Sequence, residues 1–142
     1  PGRSAKAEDM LWFEADERLR EVARQIAEKV ELERCAGKRC LTRAPQVVVG
    51  GSGVSGPVFV DNAEFRRYVA EAFDASVLDM ESAAVAYIAY ANAVPFIAFR
   101  SLSDLAGGGE CENEMATFFT LASENSARVV KAFVAAMPMD GK

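Results

Sequence analysis

Ser76-Val77-Leu78-Asp79-Met80-Glu81-Ser82-Ala83-Ala84-Val85-Ala86-Tyr87 passes from a strand straight into a helix, and that passage decides the fold. Ser76-Val77-Leu78 is a short apolar run of strand type that ends on an acid. Residues 82–91 are small and apolar nearly all round, so the helix they form must be buried on most sides, and Asn92 ends it. Toward the C terminus, residues 94–102 supply another strand, with Pro95-Phe96-Ile97-Ala98-Phe99 as its hydrophobic body and Ser103-Asp104 as its close. A Gly107-Gly108-Gly109 loop then leads to a long final helix over residues 112–136. Toward the N terminus, Asp61-Asn62 caps a helix over residues 63–73. Two short strands precede it: Val58-Phe59-Val60, and Gln46-Val47-Val48-Val49-Gly50, the latter buried on both faces. Leu19, Val22, Ala23, Ile26, Ala27 and Val30 recur at helical spacing and predict an amphipathic helix over 16–34. The order is helix, strand, strand, helix, strand, helix, strand, helix. Such alternation predicts an α/β fold with a mostly parallel sheet covered by helices on both faces.

The chain has 142 residues, 51% hydrophobic and 26% charged, the composition of one globular domain or part of one. A net charge of −5, with basic residues scattered singly, leaves no footprint for a phosphate backbone, so nucleic acid is not an expected partner. No apolar stretch approaches the roughly 20 residues of a membrane helix. With no histidine and no CxxC pair among Cys35, Cys40 and Cys111, metal chemistry is not expected. Cys35 and Cys40 flank a turn-like Ala-Gly-Lys-Arg and are either a disulfide or two free thiols. The chain opens Pro1-Gly2-Arg3 without an initiator methionine, which suggests sequence upstream. A signal peptide there would imply secretion or a vacuole, its absence the cytoplasm.

Ligands of open parallel sheets bind beyond the carboxyl ends of the strands. Two strands end in acids, Asp79-Met80-Glu81 and Ser103-Asp104, so Glu81 and Asp104 are expected to face one edge as a carboxylate pair, one holding hydroxyls and the other moving a proton. An acid just after a strand also serves as the N-cap of the next helix, and for Glu81 both roles stay open. Gly51-Ser52-Gly53-Val54-Ser55-Gly56 matches GxGxxG, with Asp79 at the end of the following strand where a ribose-binding acid would stand. Against a dinucleotide site, Pro57-Val58-Phe59-Val60 puts an extended run where the third glycine should open a helix.

Val77-Leu78-Asp79-Met80-Glu81-Ser82-Ala83-Ala84, followed by Val94-Pro95-Phe96-Ile97-Ala98-Phe99-Arg100-Ser101-Leu102-Ser103-Asp104, resembles the paired motifs of the purine nucleoside phosphorylase and methylthioadenosine/adenosylhomocysteine nucleosidase superfamily. Residues 50–62 and 104–109 resemble its plant branch of bark and vegetative storage proteins. The resemblance implies the C-terminal part of a three-layer α/β/α nucleoside phosphorylase-type domain over 12–142, after a loose segment 1–11. It implies cleavage of purine nucleosides by phosphorolysis or hydrolysis in the full-length protein, an inactive isolated chain, no cofactor beyond phosphate as a co-substrate, and a homo-oligomer of two or more copies. A storage or nucleoside-binding protein without turnover is the alternative.

Position by position, the resemblance implies that Glu81 accepts hydrogen bonds from the ribose hydroxyls and Met80 packs against the ribose. Phe59 stacks on the purine, with Val60 giving backbone contact to the base. Asp104 protonates the purine N7 as general acid, and Ser103 orients its carboxyl. Read from the residues alone, Met80 and Phe59 also fit an ordinary core. Pro57 departs from the nucleosidase pattern, which has an Asp there.

Overall fold

The computed structural model describes residues 10–102, 107 and 115–138. Its elements are α1 (Glu17–Ala27), β1 (Cys35–Ala36), β2 (Arg39–Cys40), β3 (Ser52–Ser55), α2 (Ala63–Phe73), β4 (Ala75–Asp79), α3 (Ser82–Ala91) and α4 (Met115–Ala136). The chain is an α/β protein in which β3 and β4 pair in parallel. The crossover between them is α2, whose start is fixed by the Asn62 side chain accepting from the Phe65 amide at 2.8 Å. Asp74, at φ 49°, turns the chain out of α2 and into β4.

α1 is shorter than its apolar spacing predicts. Asp16 caps it, with Oδ1 accepting from the Arg18 and Leu19 amides at 2.9 and 3.1 Å, but it ends at Ala27. Beyond that point Val30 and Leu32 fold back onto the same core, and the buried Asn125 of α4 pins the Glu33 backbone, accepting from its N–H and donating to its C=O at 2.8 Å each. A tertiary bond thus overrides a periodicity that would have carried the helix on.

Ala23 and Ile26 of α1 form the main core with Val129 and Phe133 of α4. Val47, Val49, Ile97 and Phe99 pack against it, while Val48 and Ala98 point away and are exposed. Alternation of period two is that of a strand covered on one face only, which corrects the expectation of a strand buried on both faces at 46–50. Among the described residues, neither 46–49 nor 94–102 joins a strand ladder.

The second predicted strand also moves. Pairing with β4 recruits the glycine-containing Ser52–Ser55, and the β-branched run at 58–60 lies outside any strand, with Val58 and Phe59 exposed. α3 has the predicted bounds but only one buried residue, Ala86; Val85, Tyr87 and Ile88 are exposed, so the apolar helix is not covered on most sides by the described chain. Cys35 and Cys40 stand opposite each other in the β1–β2 hairpin and form a disulfide. No described helix is long and apolar enough to cross a membrane.

Candidate functional site at the carboxyl edge of the parallel strands

Because β3 and β4 run in parallel, their carboxyl ends leave the sheet on the same edge, with Ser55 opposite Asp79. The backbone carries this contact one step further, the Gly56 amide donating to the Asp79 carbonyl at 3.0 Å. Asp79 has a side chain only 10% exposed, and both its oxygens are engaged. Oδ1 accepts from the Ser55 hydroxyl and from the Glu81 and Ser82 amides at 3.2 and 3.0 Å. Oδ2 accepts from the Ser82 hydroxyl and from Arg100 Nε at 2.7 Å. Burial pushes this carboxyl up, but the hydrogen bonds from Ser55, Ser82 and Arg100 outweigh it and hold Asp79 at about 2, below its ordinary 3.8.

This network settles what Glu81 does not do. The residue occupies the N-cap position of α3, yet its side chain makes no capping bond. The Glu81 and Ser82 amides go to Asp79, and the Ala83 amide goes to Ser55 Oγ at 2.9 Å. With its capping role taken over, the Glu81 carboxylate is 64% exposed at the sheet edge, with Arg100 Nη2 3.4 Å away. Arg100 therefore spans the buried carboxylate and the exposed one, and it also donates to Ser82 Oγ at 2.9 Å. Its pairing brings the end of segment 94–102 to the same edge as the end of β4.

The other expected site residues fall as follows. Met80, between Asp79 and Glu81, is 45% exposed in this chain. Phe59 is 57% exposed in this chain. Phe59 and the half-buried Val60 lie on the chain that leaves β3 at this edge. Ser103 and Asp104 lie outside the described residues. Gly107, which follows them, is described: its amide donates to Asp61 Oδ1 at 2.7 Å, next in sequence to Val60.

The dinucleotide fingerprint does not survive. Gly53 lies inside β3 and not in a turn before a helix, and the next helix begins only at Ala63. Asp79, the expected ribose acid of that motif, is saturated by protein donors. Gly51 has a local reason to be glycine, since at φ +83° an added Cβ would come 3.0 Å from Ser76 Oγ.

The residues that sequence reasoning left without a role are Ser55, Asp79 as a buried anchor, and Arg100. Arg100 stands inside the quoted motif, but nothing in its spacing marks it as the partner of two carboxylates 19 and 21 positions earlier. Among the described residues no cluster of three or more Cys, Asp or Glu side chains could hold a metal ion. A cleft of about 510 Å³ lined by Met10, Trp12, Phe13, Tyr90 and Phe96 lies at the other end of segment 94–102 and of α3. It is remote from Arg100 and Glu81 and contributes nothing to this edge.

Fold and site together define a parallel α/β protein with an acidic, arginine-braced edge at the carboxyl ends of its paired strands. The chain belongs to the phosphorylase superfamily, whose family model matches residues 1–135. It is 24% identical over 135 residues to bark storage proteins A and B of Populus deltoides, a match covering 95% of this chain and 42% of each of those proteins. Over 82 residues it is 38% identical to a 5'-methylthioadenosine/S-adenosylhomocysteine nucleosidase of Staphylococcus aureus (strain JH9), covering 57% of this chain and 36% of that enzyme. The chain thus spans about two fifths of the length of the curated relatives it matches. No solved structure gives a significant match.

Proposed function

We propose that the whole protein breaks the N-glycosidic bond of purine nucleosides, with phosphate or water as nucleophile and no other cofactor. The observation that carries this reading is the freed Glu81 carboxylate: Asp79 and Ser55 cap α3 in its place, and Arg100 braces it at the sheet edge. A carboxylate so placed accepts hydrogen bonds from vicinal ribose hydroxyls, and these favour the positive charge that builds on the sugar as the bond breaks. Met80 walls the ribose, Phe59 stacks on the base, and Val60 meets it through the backbone. Asp104, oriented by Ser103, protonates the purine N7 and turns the base into a neutral leaving group.

Membership of the phosphorylase superfamily and the similarity to a nucleosidase support glycosidic cleavage. The exposed apolar side chains of α3 support a homo-oligomer of two or more copies, since such surface favours association. A second reading, a nucleoside-binding storage protein without turnover, draws on the match to bark storage proteins along 95% of the chain. Release of free base by the full-length protein from a panel of purine and pyrimidine nucleosides, with and without phosphate, separates them. Phosphate-dependent release marks a phosphorylase, phosphate-independent release a hydrolase, and binding without release the storage reading.

A further inference from the structure

We infer that Ser55 is a positioning residue for the reaction: its hydroxyl takes the capping duty that would otherwise draw Glu81 into α3, and so sets the preference for substrates that carry ribose hydroxyls. The inference rests on the ribose role proposed for Glu81. Ser55 is half-buried at the carboxyl end of β3. Its hydroxyl donates to Asp79 Oδ1, 24 positions on, and accepts from the Ala83 amide at 2.9 Å, 28 positions on. One oxygen thus joins β3, β4 and the first turn of α3. A hydroxyl can do this because it donates and accepts at once, whereas an alkyl group does neither. For strand formation alone a β-branched residue would serve better at position 55.

The Ala83 amide is the contested group. Counted from Glu81 as N-cap, Ala83 is the second residue of α3, and the amide there is one that an N-cap side chain ordinarily takes. Glu81 has a carboxylate at the cap position and makes no such bond, because Ser55 already holds that amide. Without the Ser55 oxygen, the Ala83 amide becomes an unpaired donor at the positive end of the helix, two positions from a carboxylate with no capping bond of its own. Glu81 then folds back onto its own helix and leaves the edge where it meets the ribose. Asp79 cannot stand in for Ser55: Oδ1 already accepts from the Glu81 and Ser82 amides, and Oδ2 from the Ser82 hydroxyl and Arg100. Those contacts survive in Ser55→Ala, so the substitution keeps the buried anchor and releases one amide.

The test uses the full-length protein with a purine ribonucleoside and its 2',3'-dideoxy counterpart, compared by kcat/KM. Ser55→Ala is expected to lower the value for the ribonucleoside by about tenfold or more and that for the dideoxynucleoside by less than about threefold. Ser55→Thr keeps the hydroxyl and should hold both values within about threefold of the unaltered protein. Because Ser55 acts through Glu81, Ser55→Ala combined with Glu81→Gln should fall no more than about threefold below Glu81→Gln alone. If Ser55→Ala does not fold, Ser55→Cys, whose thiol bonds only weakly, is read by the same criteria. Equal loss on both substrates, an unchanged ribonucleoside value, or losses that add in the double variant overturn the role of Ser55 and leave the Glu81 reading intact. If the dideoxynucleoside is not turned over, the double variant decides on the ribonucleoside alone. Glu81→Gln without effect on the ribonucleoside overturns the ribose role of Glu81, and that of Ser55 with it. Absence of any cleavage by the unaltered protein overturns the glycosidase reading and both roles.

Discussion

Replacing Asp79 with asparagine removes one negative charge and almost no volume, so its effect isolates the electrostatics of the buried anchor. The amide still offers an oxygen to Ser55 and to the Glu81 and Ser82 amides, but its NH2 group meets Ser82 Oγ and Arg100 Nε where Oδ2 accepted. Lowering of the Asp79 carboxyl from 3.8 to about 2 corresponds to about 2 kcal/mol of stability at neutral pH. Arg100 is 36% exposed and its attraction is screened, which trims the figure to about 1–2 kcal/mol. Setting a donor against Arg100 adds a loss of similar size, so Asp79→Asn should cost about 2–4 kcal/mol at pH 7. Since the folded carboxyl lies below its unfolded value, the charge-dependent part is complete above about pH 4 and disappears as pH falls through about 2. Urea unfolding of both proteins from pH 7 down to pH 2 measures this directly. The gap between them should shrink at the acid end. A difference under about 0.5 kcal/mol at pH 7, or one that does not change down to pH 2, would refute the anchor.

Three further outcomes follow from the same geometry. Asn125→Ala leaves both the Glu33 N–H and C=O without their partner and should cost about 2–4 kcal/mol, seen as a thermal midpoint lower by several degrees; a shift of a degree or less contradicts the pin. Reducing the Cys35–Cys40 disulfide, which closes a loop of separation 5, should cost about 2 kcal/mol in a denaturant titration, and an unchanged midpoint would show that the hairpin holds without it. Asp104→Asn in the full-length protein should lower kcat for a purine nucleoside by about 10²- to 10⁴-fold while the nucleoside still binds; a change of less than a few-fold would remove Asp104 as the acid.

α2, α3 and β4 were legible because local chemistry marks them. Asn62 caps α2, and Ala63–Phe73 and Ser82–Ala91 form with the bounds their composition predicts. The misplacements have one cause, long-range contact. Ser52–Ser55 becomes a strand because β4 pairs with it, although Val58-Phe59-Val60 has the better strand composition. α1 stops early because Asn125, 92 positions away, claims the Glu33 backbone. At the site, Glu81 and Met80 could be picked out from their motif, but the choice between cap and ligand carboxylate for Glu81 could not be made locally. It depends on Asp79 and Ser55 meeting across the parallel register, and Arg100 acquires a role only once the end of segment 94–102 lies beside that pair.

That choice makes Glu81→Gln in the full-length protein the most direct test of the account, read as kcat/KM for base release from a purine nucleoside beside the thermal midpoint of the same sample. An exposed side chain with no capping bond has little to do with stability, so the midpoint should move by no more than about 1–2 °C. A ribose-binding carboxylate has much to do with turnover, so kcat/KM should fall by about 10²-fold, the loss of a charge-assisted hydrogen bond pair in the transition state. A variant that loses stability but keeps its activity, or loses neither, would contradict the assignment of this edge as a nucleoside site.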